Sequence, residues 1–359
     1  MISTLYNCVI IKNIICVFLG VILQGQIFVS GHLSLGRMKL LFELSGENPT
    51  IPRAEIECVG TVLDFRPQVA VAECPVPEDT KRLSMTHAVL EYLGECPPDI
   101  RSFRDLLSHL CISTDQPFAG RAKMVHEDCQ ARNTCSQREF ERLIGTMING
   151  PVRLSDPVEE YRAILSRDRC YFGKVMYRIN RGEFDSRNPG RREFFHPGVM
   201  MPRMARSLVN LSLCRKGDCL LDPFCGTGGI LIEAEILGIR STGSDFDTMM
   251  IRGSRENTKE SALVLADSTA MPFRVGSVDA IVTDFPYGQS VCIRKTDTME
   301  LLYHDSLDEI RRVLKPGRRA IVVTHRDISS IAREHLEILQ HHTQRVHKSL
   351  TRHILVLKK

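Results

Sequence analysis

Asp284-Phe285-Pro286-Tyr287-Gly288 follows the apolar run Ala280 to Thr283 and places an acid, a proline and an aromatic at the expected carboxyl end of a strand. That set suits a planar amino group. The nitrogen of an exocyclic amine is a poor nucleophile because its lone pair is delocalised into the ring. Two acceptors that take its two hydrogens localise the pair outward. The Asp284 carboxylate and the Phe285 backbone carbonyl are the candidate acceptors, and Pro286 fixes the bend. Tyr287 offers a face on which a base can stack, worth roughly 1–3 kcal/mol per base. No metal and no covalent intermediate is required, because the work is positioning for in-line transfer. Cys225 and Cys292 have no paired helper residue, which disfavours a thiol nucleophile.

A second stretch, Asp222-Pro223-Phe224-Cys225-Gly226-Thr227-Gly228-Gly229, lies where a strand hands over to a helix. Glycines there allow positive φ and bring backbone amides close to a ligand. The spacing is not that of the dinucleotide fingerprint, and the lysine of a phosphate-cradling loop is missing. The turn therefore suits a bulky ligand without a phosphate, with Asp222 accepting from an ammonium group. Asp245 closes the next strand, where an acid would accept from both hydroxyls of a ribose. Asp267, in Ala266-Asp267-Ser268-Thr269 after the third strand, could accept from an adenine amino group. Amine, ribose and adenine in that order describe S-adenosylmethionine, the expected cofactor.

The elements that must position these residues follow from the pattern. From His196 onward the rhythm is strand, turn, helix. The expected helices are Val199 to Leu213, Ile230 to Leu237, Asp247 to Thr258 and Met299 to Leu314. The strands are Asp218 to Leu221, Ser241 to Ser244, Ala262 to Leu265, Ala280 to Thr283 and Arg319 to Val323. This alternation predicts a doubly wound, mainly parallel sheet, closed by an antiparallel hairpin of Thr343 to His347 and His353 to Leu357. Residues 38–178 read as a separate α+β region. Its strands are Leu40 to Leu44, Ile56 to Leu63, Val69 to Ala72, Phe118 to Val125, Tyr161 to Leu165 and Cys170 to Arg178. Its helices are Ser84 to Tyr92, Phe103 to Leu110 and Gln137 to Ile148. Between the two regions, residues 179–195 are rich in glycine, proline and arginine and read as a linker.

Composition sets limits on the partners. A net charge of +4 is mildly basic, so it permits a polyanion without requiring one. The 13 cysteines form no close CxxC pair, and Cys129/Cys135 and Cys214/Cys219 are spaced too irregularly for a zinc site. Free thiols in a reducing cytoplasm are the expectation. Ile14 to Leu23 is a continuous apolar run, shorter than the ~20 residues of a membrane span. Residues 1–37 are expected to be a start-site extension or a hydrophobic leader, with folding beginning near Met38.

With these residues in place, the chain resembles the class I, Rossmann-like methyltransferases that modify exocyclic nitrogens through an (Asp/Asn)-Pro-Pro-(Tyr/Phe) motif. It is most similar to the archaeal tRNA guanine-N2 methyltransferases acting on guanosine 10. Pro117-Phe118-Ala119-Gly120-Arg121-Ala122-Lys123 resembles a strand of a THUMP domain, an RNA-binding module. Phe194-Phe195-His196-Pro197-Gly198-Val199-Met200-Met201-Pro202-Arg203 resembles the segment that this family places near the methionine end of its cofactor. The departure is Phe285 where the family has a proline; that position contributes a carbonyl, so activity is expected to survive with a differently shaped pocket.

The resemblance implies a THUMP-type RNA-binding domain over residues 38–178 and a catalytic α/β domain over residues 196–359. The implied cofactor contacts are His196, Pro197, Asp222, Pro223, Cys225, Gly226, Thr227, Gly228, Asp245, Asp267 and Ser268, with Asp284, Phe285, Pro286 and Tyr287 catalytic. Arg121, Lys123, Arg187, Arg191 and Arg192 are the candidates for phosphate contact. The implied partner is tRNA, bound by a cytoplasmic monomer without metal or membrane, and the target base is extruded into the pocket. Other acceptors, adenine or a guanine of ribosomal RNA, stay open, as do a non-catalytic RNA-binding role, one methyl or two, and a small activating subunit.

Overall fold

The computed structural model describes residues 38–125, 129–130, 135–287 and 299–359. The apolar run Ile14 to Leu23, Gly288 and Cys292 lie outside the described residues. Two seven-stranded sheets organise the rest.

The first sheet has the order β2-β3-β1-β4-β7-β6-β5, from β1 (Met38–Leu44), β2 (Thr61–Arg66), β3 (Val69–Cys74), β4 (Thr86–Cys96), β5 (Phe118–Met124), β6 (Glu159–Ser166) and β7 (Arg169–Arg178). It is antiparallel except where β5 runs parallel to β6. Helices α2 (Ile100–Leu110) and α3 (Gln137–Met147) cover its far half. Their apolar stripes bury Phe103, Leu107, Phe140 and Ile144 against Phe118, Tyr161 and Phe172. Both helices start on a side-chain cap: Asp99 accepts from the Ser102 amide, and Ser136 forms a capping box with Glu139.

Two expectations in this region are corrected. Residues Ile56 to Leu63 do not form one strand. Helix α1 (Ile51–Glu57) occupies the first part, opened by Pro52 at its amino end, where a missing N–H costs nothing. Residues Ser84 to Tyr92 are not a helix but most of β4. This strand is flanked by β1 and β7, so pairing on both edges outweighs a helix-compatible local sequence.

The second sheet has the order β10-β9-β8-β11-β12-β14-β13. Its strands are β8 (Cys219–Asp222), β9 (Arg240–Asp245), β10 (Ala262–Leu265), β11 (Val278–Asp284), β12 (Leu314–Thr324), β13 (Glu337–His347) and β14 (Leu350–Lys358). The first five are parallel, and β14 and β13 add the antiparallel hairpin. The chain runs outward from β8 to β10 and then crosses back to β11, so the order reverses between β8 and β11. Crevices at such reversals, outside the carboxyl ends of the strands, are where open α/β sheets bind ligands. The connecting helices are α5 (Pro202–Leu211), α6 (Gly229–Ile236), α7 (Thr248–Asn257) and α8 (Met299–Val313). A further helix, α9 (Ser329–His335), was not expected from the sequence; its first turn is met by Asp327, which accepts from the Ser329 amide at 2.9 Å.

Residues 179–195 are folded rather than extended. They form α4 (Arg181–Ser186) and a 3₁₀ turn over Pro189–Arg191. Phe184 is buried beneath the guanidinium groups of Arg187 and Arg206. Both cations pair with the buried Glu233 of α6, each at 2.8 Å.

The two sheets share a junction built on α1 and α5. Ile51, Ala54 and Met85 join Ala205, Leu208 and Val209 in one apolar cluster. Glu55 of α1 is fully buried at its centre. Its carboxylate accepts from the Ser84 and Met85 amides, each at 2.9 Å, and from Asn210 Nδ2 at 2.6 Å. Burial pushes its pKa up, and these donors pull it back down. Arg82 adds bonds to Asn210 Oδ1 at 2.6 Å and the Cys214 carbonyl at 2.9 Å. Replacing Glu55 with alanine strands several buried donors, each costing about 1–3 kcal/mol. Glu55→Ala should therefore lower stability by about 3 kcal/mol or more in urea or thermal unfolding. An unchanged midpoint would show that the junction does not depend on this carboxylate.

Candidate active site

A pocket of about 830 Å³ opens at the carboxyl ends of β8, β9, β10 and β11, where the sheet order reverses. Its size falls in the range of small-molecule sites. Each of these four strands delivers an acid to it: Asp222 from β8, Asp245 from β9, Asp267 just beyond β10 and Asp284 from β11.

Asp222 is 1% exposed and accepts from Thr283 Oγ1 at 2.7 Å. Burial raises its pKa to about 7, and the negative neighbours Asp245 and Asp284 push the same way. A cationic ligand group would relieve that cost. Asp245 accepts from the amides of Gly226 and Asp247, each at 2.9 Å. These bonds fix its carboxylate and leave further lone pairs for a ligand. Burial moves its pKa up as well. Asp267 receives the amide of Thr269 at 2.9 Å and its hydroxyl at 2.7 Å, both on Oδ1. Ser268, also in the wall, is buried and hydrogen-bonded to Ser306 of α8 at 3.0 Å.

The glycine turn follows β8. Pro223, Cys225, Gly226 and Thr227 all face the pocket. Gly226 has φ of +50°, a backbone conformation that costs other residues energy. Gly228 is not among the residues that line the pocket. At φ +80° it sits against α7, and a Cβ there would come within 2.6 Å of Ser254 Oγ. Its task is helix packing.

His196 and Pro197 also border the pocket. Their segment is anchored by Asn257 of α7, which accepts from the Phe194 amide at 3.0 Å. Asn257 also donates to the carbonyls of Phe194 at 2.8 Å and Thr227 at 2.9 Å. One side chain thus ties the segment to the glycine turn. The Phe194 ring lies over Gly253 of the same helix.

At the fourth strand end, Asp284, Phe285, Pro286 and Tyr287 all reach the pocket. The Asp284 side chain is 21% exposed, and burial raises its pKa to about 6. Its Oδ1 accepts from the Tyr287 hydroxyl at 2.7 Å. Burial and the Asp284 charge push the Tyr287 pKa upward, so its proton stays in place at neutral pH. The Phe285 ring is 1% exposed and packs between Phe224 at 4.7 Å and Tyr303 at 5.4 Å. The ring replacing the family's proline therefore fills the core under α8, and the change of pocket shape expected from it is not carried by an intruding ring.

Sequence reasoning missed two contributors. Phe246, directly after Asp245, lines the pocket while remaining 57% exposed, and Met249 and Leu301 extend that apolar wall. An aromatic immediately after a strand-end acid was the available signal. Arg352 of β14 is the other: it is buried, and its Nε donates to the Tyr287 hydroxyl at 2.8 Å.

The candidate phosphate contacts are not gathered at this pocket. Arg187 is paired with Glu233, and Arg192 donates to the Arg187 carbonyl at 3.1 Å and lies 3.4 Å from Thr227 Oγ1. Both hold the segment 179–195 to the second sheet. Arg191 is exposed. Lys123 pairs with Glu43 at 3.0 Å, and Arg121 donates to the Leu154 carbonyl at 2.6 Å. Two imidazole–carboxylate clusters, His304/Glu334/His335 and Asp327/His341/His353, lie outside the pocket wall.

A Cβ at Gly253 would fall 2.0 Å from Phe194 Cδ1. Gly253→Ala must displace the segment that carries His196, so cofactor affinity measured by calorimetry should fall at least ~10-fold, about 1.4 kcal/mol. Affinity within about twofold of the parent would show that this segment does not shape the site.

A family model described as "RMKL-like, methyltransferase domain" matches residues 189–354. The tRNA (guanine(10)-N2)-dimethyltransferase of Methanothermobacter thermautotrophicus is 33% identical over 344 residues, covering 90% of this chain and 100% of that protein. The protein of the same name from Methanocaldococcus jannaschii is 28% identical, covering 89% of this chain and 99% of its own. TrmN from Thermus thermophilus has the same fold, with a TM-score of 0.52 at 19% identity over 89% of this chain and 99% of that one. By sequence over nearly its full length, the chain belongs to the archaeal tRNA (guanine(10)-N2)-dimethyltransferase family.

Proposed function

We propose that this protein transfers methyl groups from S-adenosylmethionine to the exocyclic N2 of guanosine 10 in tRNA. The observation that carries the reading is the placement of Asp284 and Tyr287 in the same pocket as the three upstream acids, at one reversal of the sheet.

The residues present suit this cofactor. Buried Asp222 would hold the ammonium group, Asp245 the ribose hydroxyls, and Asp267 with Ser268 the adenine edge. Gly226 and Thr227 give the backbone room, and His196 and Pro197 close the methionine end. When bound, S-adenosylmethionine supplies a sulfonium methyl for transfer to nitrogen.

The chain's own work is to prepare the nitrogen. Asp284 and the Phe285 carbonyl accept the two amino hydrogens of guanine, which draws the nitrogen toward a pyramidal geometry and localises its lone pair on it. Pro286 sets the bend that separates these two acceptors. The Tyr287 hydroxyl holds Asp284 Oδ1 and so limits rotation of the carboxylate. After transfer the nitrogen carries an excess proton, and Asp284 is the carboxylate placed to accept it.

Residues 38–178 act in this reading as a THUMP-type module that holds the tRNA by its end, while residues 196–359 reach the base. Arg121, Lys123 and the exposed Arg191 are the remaining phosphate candidates. Guanosine 10 lies in a paired region, so the base is extruded to enter the pocket. No described helix is long and apolar enough to cross a membrane, and a cytoplasmic setting fits a tRNA substrate.

The test uses tRNA transcripts with guanosine 10 intact or replaced by adenosine. Methyl transfer should occur only to the first, and Asp284→Ala should reduce it by at least ~10³-fold with tRNA affinity nearly unchanged. Equal labelling of both transcripts would refute the assigned position, and retained turnover in the variant would refute the role of Asp284.

A further inference from the structure

We propose that Arg352, on the C-terminal strand β14, is a positioning residue that holds the Asp284 carboxylate and the Tyr287 hydroxyl in the arrangement the reacting amino group must meet. This inference rests on the functional reading above and extends it to the terminal hairpin.

Arg352 stands in a row of β14 that otherwise points Ile354 and Val356 into the apolar core. A guanidinium in such a row is 5% exposed, and burying it is costly unless it is paired. Its partners explain the cost. Nε donates to the Tyr287 hydroxyl at 2.8 Å, and Nη2 reaches the Gly198 carbonyl at 3.5 Å. Nη2 also stands 3.8 Å from Asp284 Oδ2. One side chain therefore touches the catalytic turn and the segment that carries His196 and Pro197. It does not line the pocket itself, so it works through the residues it holds.

The arrangement is directional. Tyr287 accepts from Arg352 and donates its only proton to Asp284, so the cation fixes which way that hydroxyl points. With Oδ1 held by Tyr287 and Oδ2 facing a cation, the carboxylate plane is set from both sides.

The charges around Asp284 give Arg352 a second effect. Tyr287 on its own turn is neutral. Asp222 from β8 and Asp305 from α8 border the same pocket with acidic groups. His325, just after β12, has its ring 5.3 Å from that of Tyr287, but burial and Arg326 lower its pKa and leave it neutral at pH 7. Among the described residues, Arg352 is thus the cation that favours the ionised form of Asp284 against burial. A raised carboxyl pKa means that the active ionised form is lost as pH falls through it. In the parent enzyme that limb should lie at about 6. Without the cation it should move upward.

The experiment is single-turnover methylation of tRNA at saturating S-adenosylmethionine across the acid and alkaline sides of neutrality, for the parent, Arg352→Lys and Arg352→Gln. Arg352→Met, which keeps the stem's volume, replaces the glutamine variant should that not fold. The uncharged variant should show an acid limb raised by at least ~1 pH unit, with a rate at pH 7 no more than about half its own alkaline plateau. Arg352→Lys should keep the limb near that of the parent with a lower plateau, because it retains the charge but not the guanidinium geometry. Cofactor affinity should stay within about twofold in all three. A rate lowered by one factor at every pH, with the limb unmoved, would overturn the proposal and leave only a packing role. If the parent enzyme methylates no tRNA, the functional reading fails and this inference falls with it.

Discussion

Burial opposes ionisation of Asp284, the carboxylate that the proposed reaction needs ionised in order to accept hydrogens from an amine. Asp284 ends a strand buried in the middle of a seven-stranded sheet, and its pKa stands at about 6. Much of the second sheet can be understood as managing that conflict. The carboxyl must leave water so that the acceptor geometry is fixed and the cofactor is shielded. It must also keep its charge near neutral pH. Tyr287 supplies a proton to hydrogen-bond, and Arg352 supplies the opposite charge from a strand near the other end of the chain. The antiparallel hairpin that closes the sheet thereby becomes part of the site.

The same economy appears at the cofactor end. Asp222 is almost fully buried with a pKa of about 7, so a cationic ligand group would pull it toward its charged form. Asp245 is held by two backbone amides before any ligand arrives. Asn257 and Gly253 of one helix fix the segment that borders the pocket's other side. Preorganised acceptors of this kind need little rearrangement when the reaction occurs. The first sheet is joined to this scaffold through Glu55, Arg82 and Asn210, so α5 packs at the junction while leading into β8. A tRNA held by the first sheet would consequently be held at a fixed distance from Asp284.

Most of the second sheet was legible in the sequence because its logic is local. Most strands are short apolar runs, the ends of β8, β9, β10 and β11 each carry an acid, and the glycine turn interrupts the pattern where a strand meets a helix. Asp222, Asp245, Asp267 and Asp284 could be read from that rhythm, and all four meet in one pocket. Arg352 could not, because it lies 65 residues from Tyr287 in sequence and its row in β14 otherwise looks like plain core. The same blindness to distant partners explains other misses. Arg187 and Arg192 read as candidates for phosphate contact, and their partners within the chain, Glu233 and Thr227, lie 46 and 35 residues away in sequence. The stretch Ser84 to Tyr92 read as helix because nothing in it announced pairing with β1 and β7. The close packing of Gly228 on Ser254 of another helix could likewise not be read from its neighbours in the glycine turn.

The most direct measurement is to incubate the protein with tRNA and methyl-labelled S-adenosylmethionine, digest the tRNA to nucleosides and identify the labelled one. The account predicts label in N2-methylguanosine or N2,N2-dimethylguanosine. Label in a methylated adenosine, or no label in tRNA at all, would contradict it.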